Sequence, residues 1–99
     1  MGQVMVTNKG TSKIKVLIVD DQEVIREAFG MLLDSDETVD LVGVLGDGES
    51  AVQMIPVLNP NVVIMDVKMP GLNGIAAAQQ IRETHPDVGI ILLSAYDES

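Results

Sequence analysis

Cysteine is absent from the 99 residues. That removes disulfides, thiolate zinc sites and cysteine nucleophiles together, and it suits a reducing compartment such as the cytoplasm. Aromatic residues are nearly absent too, with Phe29 and Tyr96 alone, so the core must be built from Val, Ile, Leu, Met and Ala. No apolar run approaches the roughly 18–20 residues that a membrane span needs. Basic charge is scarce: 6 Lys and Arg stand against 15 Asp and Glu, a formal net charge of −9. Such a surface repels phosphate backbones and anionic lipid, which argues against direct nucleic-acid or membrane binding by this segment and favours a cation site.

What is present is one small domain's worth of apolar material. A chain of this length buries only about 60–65% of its unfolded surface, but 46% of its residues are hydrophobic, enough for one modest core. Residues 1–13 are polar, contain glycine and carry no signal-peptide apolar block, so they are expected to form a flexible tail ahead of a domain over 14–99. Met1-Gly2 lacks the hydroxyl residue that a myristoylation signal needs at its sixth position, where Val6 stands.

From Lys15 onward the pattern alternates. Lys15 to Val19 is an apolar run that ends in Asp20-Asp21. Val24, Ile25, Ala28, Phe29, Leu32 and Leu33 then recur at helical spacing, which predicts a helix over Gln22–Asp34 with that face inward. Asp40 to Leu45 reads as a second strand, and Gly46-Asp47-Gly48 as a turn. A helix is expected from Glu49 with Ala51, Val52 and Ile55 inward; Pro56 should kink or end it. Val62 to Met65 is wholly apolar, as a central parallel strand is, and ends in Asp66. Asn73 is a candidate N-cap for a helix reaching His85, and Pro86 stops it. Val88 to Leu93 is the fourth strand, with Ser94-Ala95 at its end. Met31, Met54 and Met65 are expected to fill the aliphatic core.

The order β-α-β-α-β-α-β implies a mostly parallel sheet with helices on both faces. Ligands of such sheets sit beyond the carboxyl ends of the strands, where the strand order reverses. Asp20 and Asp21, Asp66 and Ser94 all stand at such ends. Two carboxylates about 5 Å apart repel by about 3 kcal/mol at an effective dielectric of 20. Three together call for protons or a hard, oxygen-seeking cation such as magnesium. With no cysteine and one histidine, zinc or copper fits poorly. A cation beside Asp66 would also prepare that carboxylate to accept a phosphoryl group, with the Ser94 hydroxyl bonding the group on arrival.

The simpler readings stand beside these. An Asp pair between strand and helix can be a cap and a partner of the helix dipole, though Asp66 at the neighbouring strand end tips the balance toward a site. Ser94 alone is an ordinary strand-terminal hydroxyl. Pro70, Gly71 and Gly74 shape a loop, and His85 faces a helix C-terminus. Gly43, Gly46 and Gly48 make no dinucleotide fingerprint, in spacing or position.

Three segments carry a family resemblance: Val19-Asp20-Asp21, Met65-Asp66-Val67-Lys68-Met69-Pro70-Gly71-Leu72-Asn73-Gly74 and Leu93-Ser94-Ala95. Together they resemble the receiver domains of two-component response regulators, over roughly Lys15 to Ser99. The surrounding text is more loosely similar to receivers joined to LuxR-like helix-turn-helix domains. The resemblance implies a three-layer flavodoxin-like fold and a role in phosphorelay signal transduction and transcription regulation. It implies Asp66 as phosphoacceptor and Ser94 as switch hydroxyl. Magnesium would be held by Asp20, Asp21, Asp66 and the Lys68 backbone carbonyl, and the Lys68 and Tyr96 side chains would tune phosphoryl hydrolysis. The implied partners are a sensor histidine kinase and a C-terminal DNA-binding output domain. Receivers of this family continue into a fifth strand carrying a lysine, then a fifth helix. Every basic residue here lies at or before Arg82, so the resemblance implies a receiver truncated before strand five. The exposed fourth strand would then invite a homodimer or an exchange of elements. Beside the phosphoacceptor reading stands a dimerisation or docking module on the same fold that works without phosphorylation. A hydrolase with a separate substrate lacks a candidate acid or base beside Asp66.

Overall fold

The fold is seen in a computed structural model that describes residues 13–94. Strands β1 (Ile14–Val19), β2 (Val39–Leu45), β3 (Val62–Asp66) and β4 (Gly89–Leu93) alternate with helices α1 (Glu23–Asp34), α2 (Gly48–Leu58) and α3 (Gly74–Thr84). The strands form one sheet in the order β2-β1-β3-β4, and every pairing is parallel. The order reverses between β1 and β3, which places a crevice beyond the carboxyl ends of those two strands. The expected tail falls almost wholly outside the described residues, as do Ala95 and Tyr96.

Side-chain alternation along the strands sorts the two faces. Leu17 and Val19 of β1 join Val63 and Met65 of β3 on one side. There they pack against Ala51 and Ile55 of α2 and Ala77, Ala78 and Ile81 of α3. Fully burying an aliphatic side chain of this size is worth about 1.5–3 kcal/mol, so this layer supplies most of the apolar stabilisation. Val16 and Ile18 are buried outside that cluster, on the face that α1 covers. Helix α1 makes its contacts with β1 and β2.

Caps define the helices. Asn73 accepts a hydrogen bond from the Ala76 N–H at 2.9 Å, the expected N-cap. Asp47 caps α2 by accepting from the Ser50 N–H at 2.7 Å, so that helix begins at Gly48, one residue early. Gln22 holds the N-cap position of α1, which leaves Asp20 and Asp21 outside the helix.

Two expectations need correction. Pro56 does not end α2 where it stands, for the helix runs two residues further, to Leu58. It lies in the last turn, where its missing N–H removes a single intrahelical bond. The helix stops at Asn59, which takes the left-handed conformation (φ 51°) and donates its N–H to the Ile55 carbonyl at 2.8 Å. Met31 is not core but 76% exposed, and Val24 at 72% and Leu32 at 66% share its fate. The side of α1 that meets the sheet is the narrower stripe Ile25, Phe29 and Leu33, all half-buried. Among the described residues no other helix shares that face to cover the rest. Met65 is buried as expected, and Met54 is half-buried.

Candidate functional site

Parallel pairing carries each acidic residue to the same rim. A register irregularity between Val16 and Leu17 in the β1–β2 pairing leaves Val19 opposite Leu45. The Asp20 N–H then donates to the Leu45 carbonyl at 3.0 Å, so the ladder extends one residue past the strand. Across the crevice Val19 pairs with Met65, and the next residue is Asp66. The Val67 N–H donates to the Leu93 carbonyl at 2.9 Å, which sets the end of β4, and with it Ser94, beside the β3 loop.

The carboxylates of Asp20, Asp21 and Asp66 each offer an oxygen, and these oxygens lie within 4.8 Å of one another. Asp20 and Asp66 are buried, 5% and 9% exposed, whereas Asp21 is open to solvent. The Asp20 carboxylate accepts the Gln22 N–H at 2.8 Å, and that of Asp66 accepts the Lys68 N–H at 3.2 Å. Burial, followed by the neighbouring charges of Asp66 and Asp21, pushes the Asp20 carboxyl above its ordinary range; the Gln22 N–H and Arg26 pull the other way. Asp20, Gln22, Ile25, Phe29, Asp66, Leu93 and Ser94 line a cleft of about 230 Å³. Three of those seven residues, Ile25, Phe29 and Leu93, are apolar, as suits a site that limits water around a charged group.

The donor set fits a hard cation. Magnesium takes oxygen ligands at about 2.0–2.1 Å, so ligands on opposite sides of it stand about 4 Å apart. Oxygens already within 4.8 Å need only a small adjustment. Lys68 is exposed at the turn after β3, and its side chain stays clear of the cleft lining.

Two contributors escape sequence reasoning. The Arg26 guanidinium donates to the Asp20 backbone carbonyl at 2.7 Å. Gly74, read as a loop-shaping residue, packs its backbone against Asp66. A Cβ there would overlap the Asp66 carbonyl oxygen and sit 2.9 Å from its carbon. The only textual signal for Arg26 is its spacing, one helical turn past Gln22.

Fold and site together define a doubly wound parallel α/β domain with an acidic, cation-ready centre at its topological switch point. The response regulator receiver domain family matches residues 16–99, and the chain belongs to that family. It is 34% identical over 87 residues to the transcriptional regulatory protein DegU of Brevibacillus brevis, a match covering 88% of this chain and 37% of that protein. It is 45% identical over 84 residues to a protein-glutamate methylesterase/protein-glutamine glutaminase of Methanococcus maripaludis, covering 85% of this chain but 23% of the enzyme. The signal receiver domain of NarL from Mycobacterium tuberculosis superposes with a TM-score of 0.81 at 32% identity, covering 87% of this chain and 69% of that one. The chain is thus a receiver domain of the two-component response regulators, with transcriptional regulators among its relatives. It spans well under half the length of the curated relatives it matches, so their whole-protein activities do not pass to it.

Proposed function

We propose that this receiver accepts a phosphoryl group on Asp66 with the help of magnesium. The observation that carries the reading is the meeting of three carboxylates, from two separate stretches of chain, within 4.8 Å. Asp20, Asp21, Asp66 and the Lys68 backbone carbonyl would hold the ion. When bound, it supplies positive charge against the phosphoryl oxygens. An Asp66 carboxylate oxygen attacks phosphorus in line, the bond from phosphorus to the donor's leaving group breaks, and an acyl phosphate forms. The apolar flank of Ile25, Phe29 and Leu93 limits water at the reacting centre. The Ser94 hydroxyl then donates to a phosphoryl oxygen and so registers its arrival. Lys68 and Tyr96 are assigned to tuning hydrolysis, Tyr96 lying outside the described residues.

The expected phosphodonor is a sensor histidine kinase, and the expected output a DNA-binding domain on the C-terminal side, working in the cytoplasm. The segment itself, at net charge −9, is not the nucleic-acid contact. No helix among the described residues is long and apolar enough to cross a membrane. Incubation with acetyl phosphate and magnesium should retard the chain on a phosphate-affinity gel, and Asp66→Ala should abolish the shift. Equal retardation of both proteins would refute the assignment of Asp66. No shift, together with no magnesium binding by calorimetry, would leave a phosphorylation-independent docking module as the better account.

A self-association is proposed through β4. This strand pairs on one side only among the described residues, has no charged residue, and exposes Ile91 and Leu92 by about half. The opposite edge, β2, carries Asp40 and a register irregularity, both of which discourage edge pairing. Sedimentation velocity should show a dimer that Ile91→Lys converts to monomer; a wild-type monomer at high concentration would refute it.

A further inference from the structure

Asp20 is held from three directions, two of them through its backbone. Its N–H donates to the Leu45 carbonyl at 3.0 Å, its carboxylate accepts the Gln22 N–H at 2.8 Å, and its carbonyl accepts from the Arg26 guanidinium at 2.7 Å. The third bond alone comes from a charged side chain. It acts on the peptide unit shared by the Asp20 carbonyl and the Asp21 N–H, which is planar and moves as one body. Asp21 is exposed and, among the described residues, its carboxylate has no hydrogen-bond partner of its own. Its place near Asp20 and Asp66 therefore depends on how that peptide plane is set.

The guanidinium is itself seated. Arg26 is half-buried, and its guanidinium packs over Gly46 in the β2–α2 turn, where a Cβ would stand 3.2 Å from Nη1 and 3.8 Å from Cζ. Such a contact is tighter than ordinary packing, so any side chain at position 46 pushes on the fork. Arg26 thus ties the first turn of α1 and the ends of β1 and β2 to a single carbonyl.

We infer that Arg26 is a positioning residue for the cation site, fixing the Asp20–Asp21 peptide so that Asp21 meets Asp20 and Asp66, and that Gly46 is kept side-chain-free to seat it. The inference rests on the cation reading above. It has an unusual sign. As a bare positive charge beside three carboxylates, Arg26 opposes cation binding, and removing it should tighten binding. As the brace of the peptide plane it favours binding, because groups that orient metal ligands are worth about 10–100-fold in affinity.

Calorimetric titration with magnesium chloride decides between them. Arg26→Ala should weaken magnesium affinity about ten-fold, and Arg26→Lys, which keeps the charge and one donor, should recover part of the loss. Gly46→Ala should weaken binding in the same direction by less, with no further loss when added to Arg26→Ala, since both act through one contact. In the metal-free protein the backbone amide order parameter of Asp21 should fall in both variants, from a rigid value near about 0.85 toward about 0.6. Unchanged or tighter binding in Arg26→Ala would overturn the inference, as would an unchanged Asp21 order parameter. If Arg26→Ala does not fold, Gly46→Ala decides by the same readings. Failure of the wild-type chain to bind magnesium at all is a different result. It would refute the cation reading, while the Asp21 order parameter would still test the brace.

Discussion

Gly74→Ala is expected to destabilise the domain by about 3 kcal/mol, a loss visible as a lower urea midpoint at an unchanged slope. The sign is the informative part. Gly74 is the first residue of α3, its φ is negative, and alanine in a helix is favoured over glycine by about 1 kcal/mol. Propensity alone therefore predicts a gain. Packing predicts the reverse, because the added methyl would overlap the Asp66 carbonyl oxygen and crowd the Val67 Cα. Neither neighbour is a side-chain tip that can swing aside; both are backbone at the end of a central strand. The Gly74 N–H also donates to the Val67 carbonyl at 2.9 Å, so α3 cannot retreat without losing that bond.

The same clash should reach the site. Asp66 is the last residue of β3, and relief of the overlap has to move its peptide or the start of α3. Either shift carries the Asp66 carboxylate away from Asp20 and Asp21, so the surviving folded fraction should also bind magnesium more weakly. A Gly74→Ala protein as stable as the parent would show that α3 sits further from the strand end than described.

Much of this architecture could be read in advance because each strand is an apolar run that ends on a polar residue. The stops at Asp20, Asp66 and Ser94 marked both the strand ends and the rim of the crevice, and Asn73 marked the start of α3. The acidic meeting point followed from the strand ends once the sheet was taken as parallel. What stayed hidden shares a different physics. Arg26 acts on a backbone carbonyl, and Gly74 on another; every residue has a carbonyl, so neither partner leaves a pattern in the text. Met31 is expected in the core as a flexible gap-filler, whereas Val24, Ala28 and Leu32, all exposed, look like core because periodicity reports which residues share a face. It does not report how wide a stripe the sheet beneath can cover. Pro56 misled for a positional reason, since a proline in a last turn removes only one bond from the helix.

Asp20→Asn should pull stability and cation binding in opposite directions, and the two effects can be read in one set of melts. Asparagine keeps the oxygen that accepts the Gln22 N–H and keeps the volume, so the geometry of the loop is preserved. What it removes is a charge that the fold resists: burial, then Asp66 and Asp21, raise the Asp20 carboxyl above its ordinary range. A carboxyl raised in the folded state contributes stability that is complete below its unfolded pKa and is lost as pH rises through the folded pKa. As the pH rises through the folded value the parent loses that contribution, whereas the amide never does. In EDTA the variant should therefore melt above the parent at pH 7, and the gap should close as the pH falls below about 4, where the unfolded chain's Asp is protonated too. Magnesium should reverse the order. At 100 times its dissociation constant a ligand that binds only the folded state adds about 2.7 kcal/mol, and the variant, having lost one of three carboxylates, should gain little of it. A parent more stable than the variant in EDTA at pH 7 would mean that the three carboxylates do not strain the metal-free fold. Equal magnesium stabilisation of the two proteins would mean that Asp20 does not hold the ion.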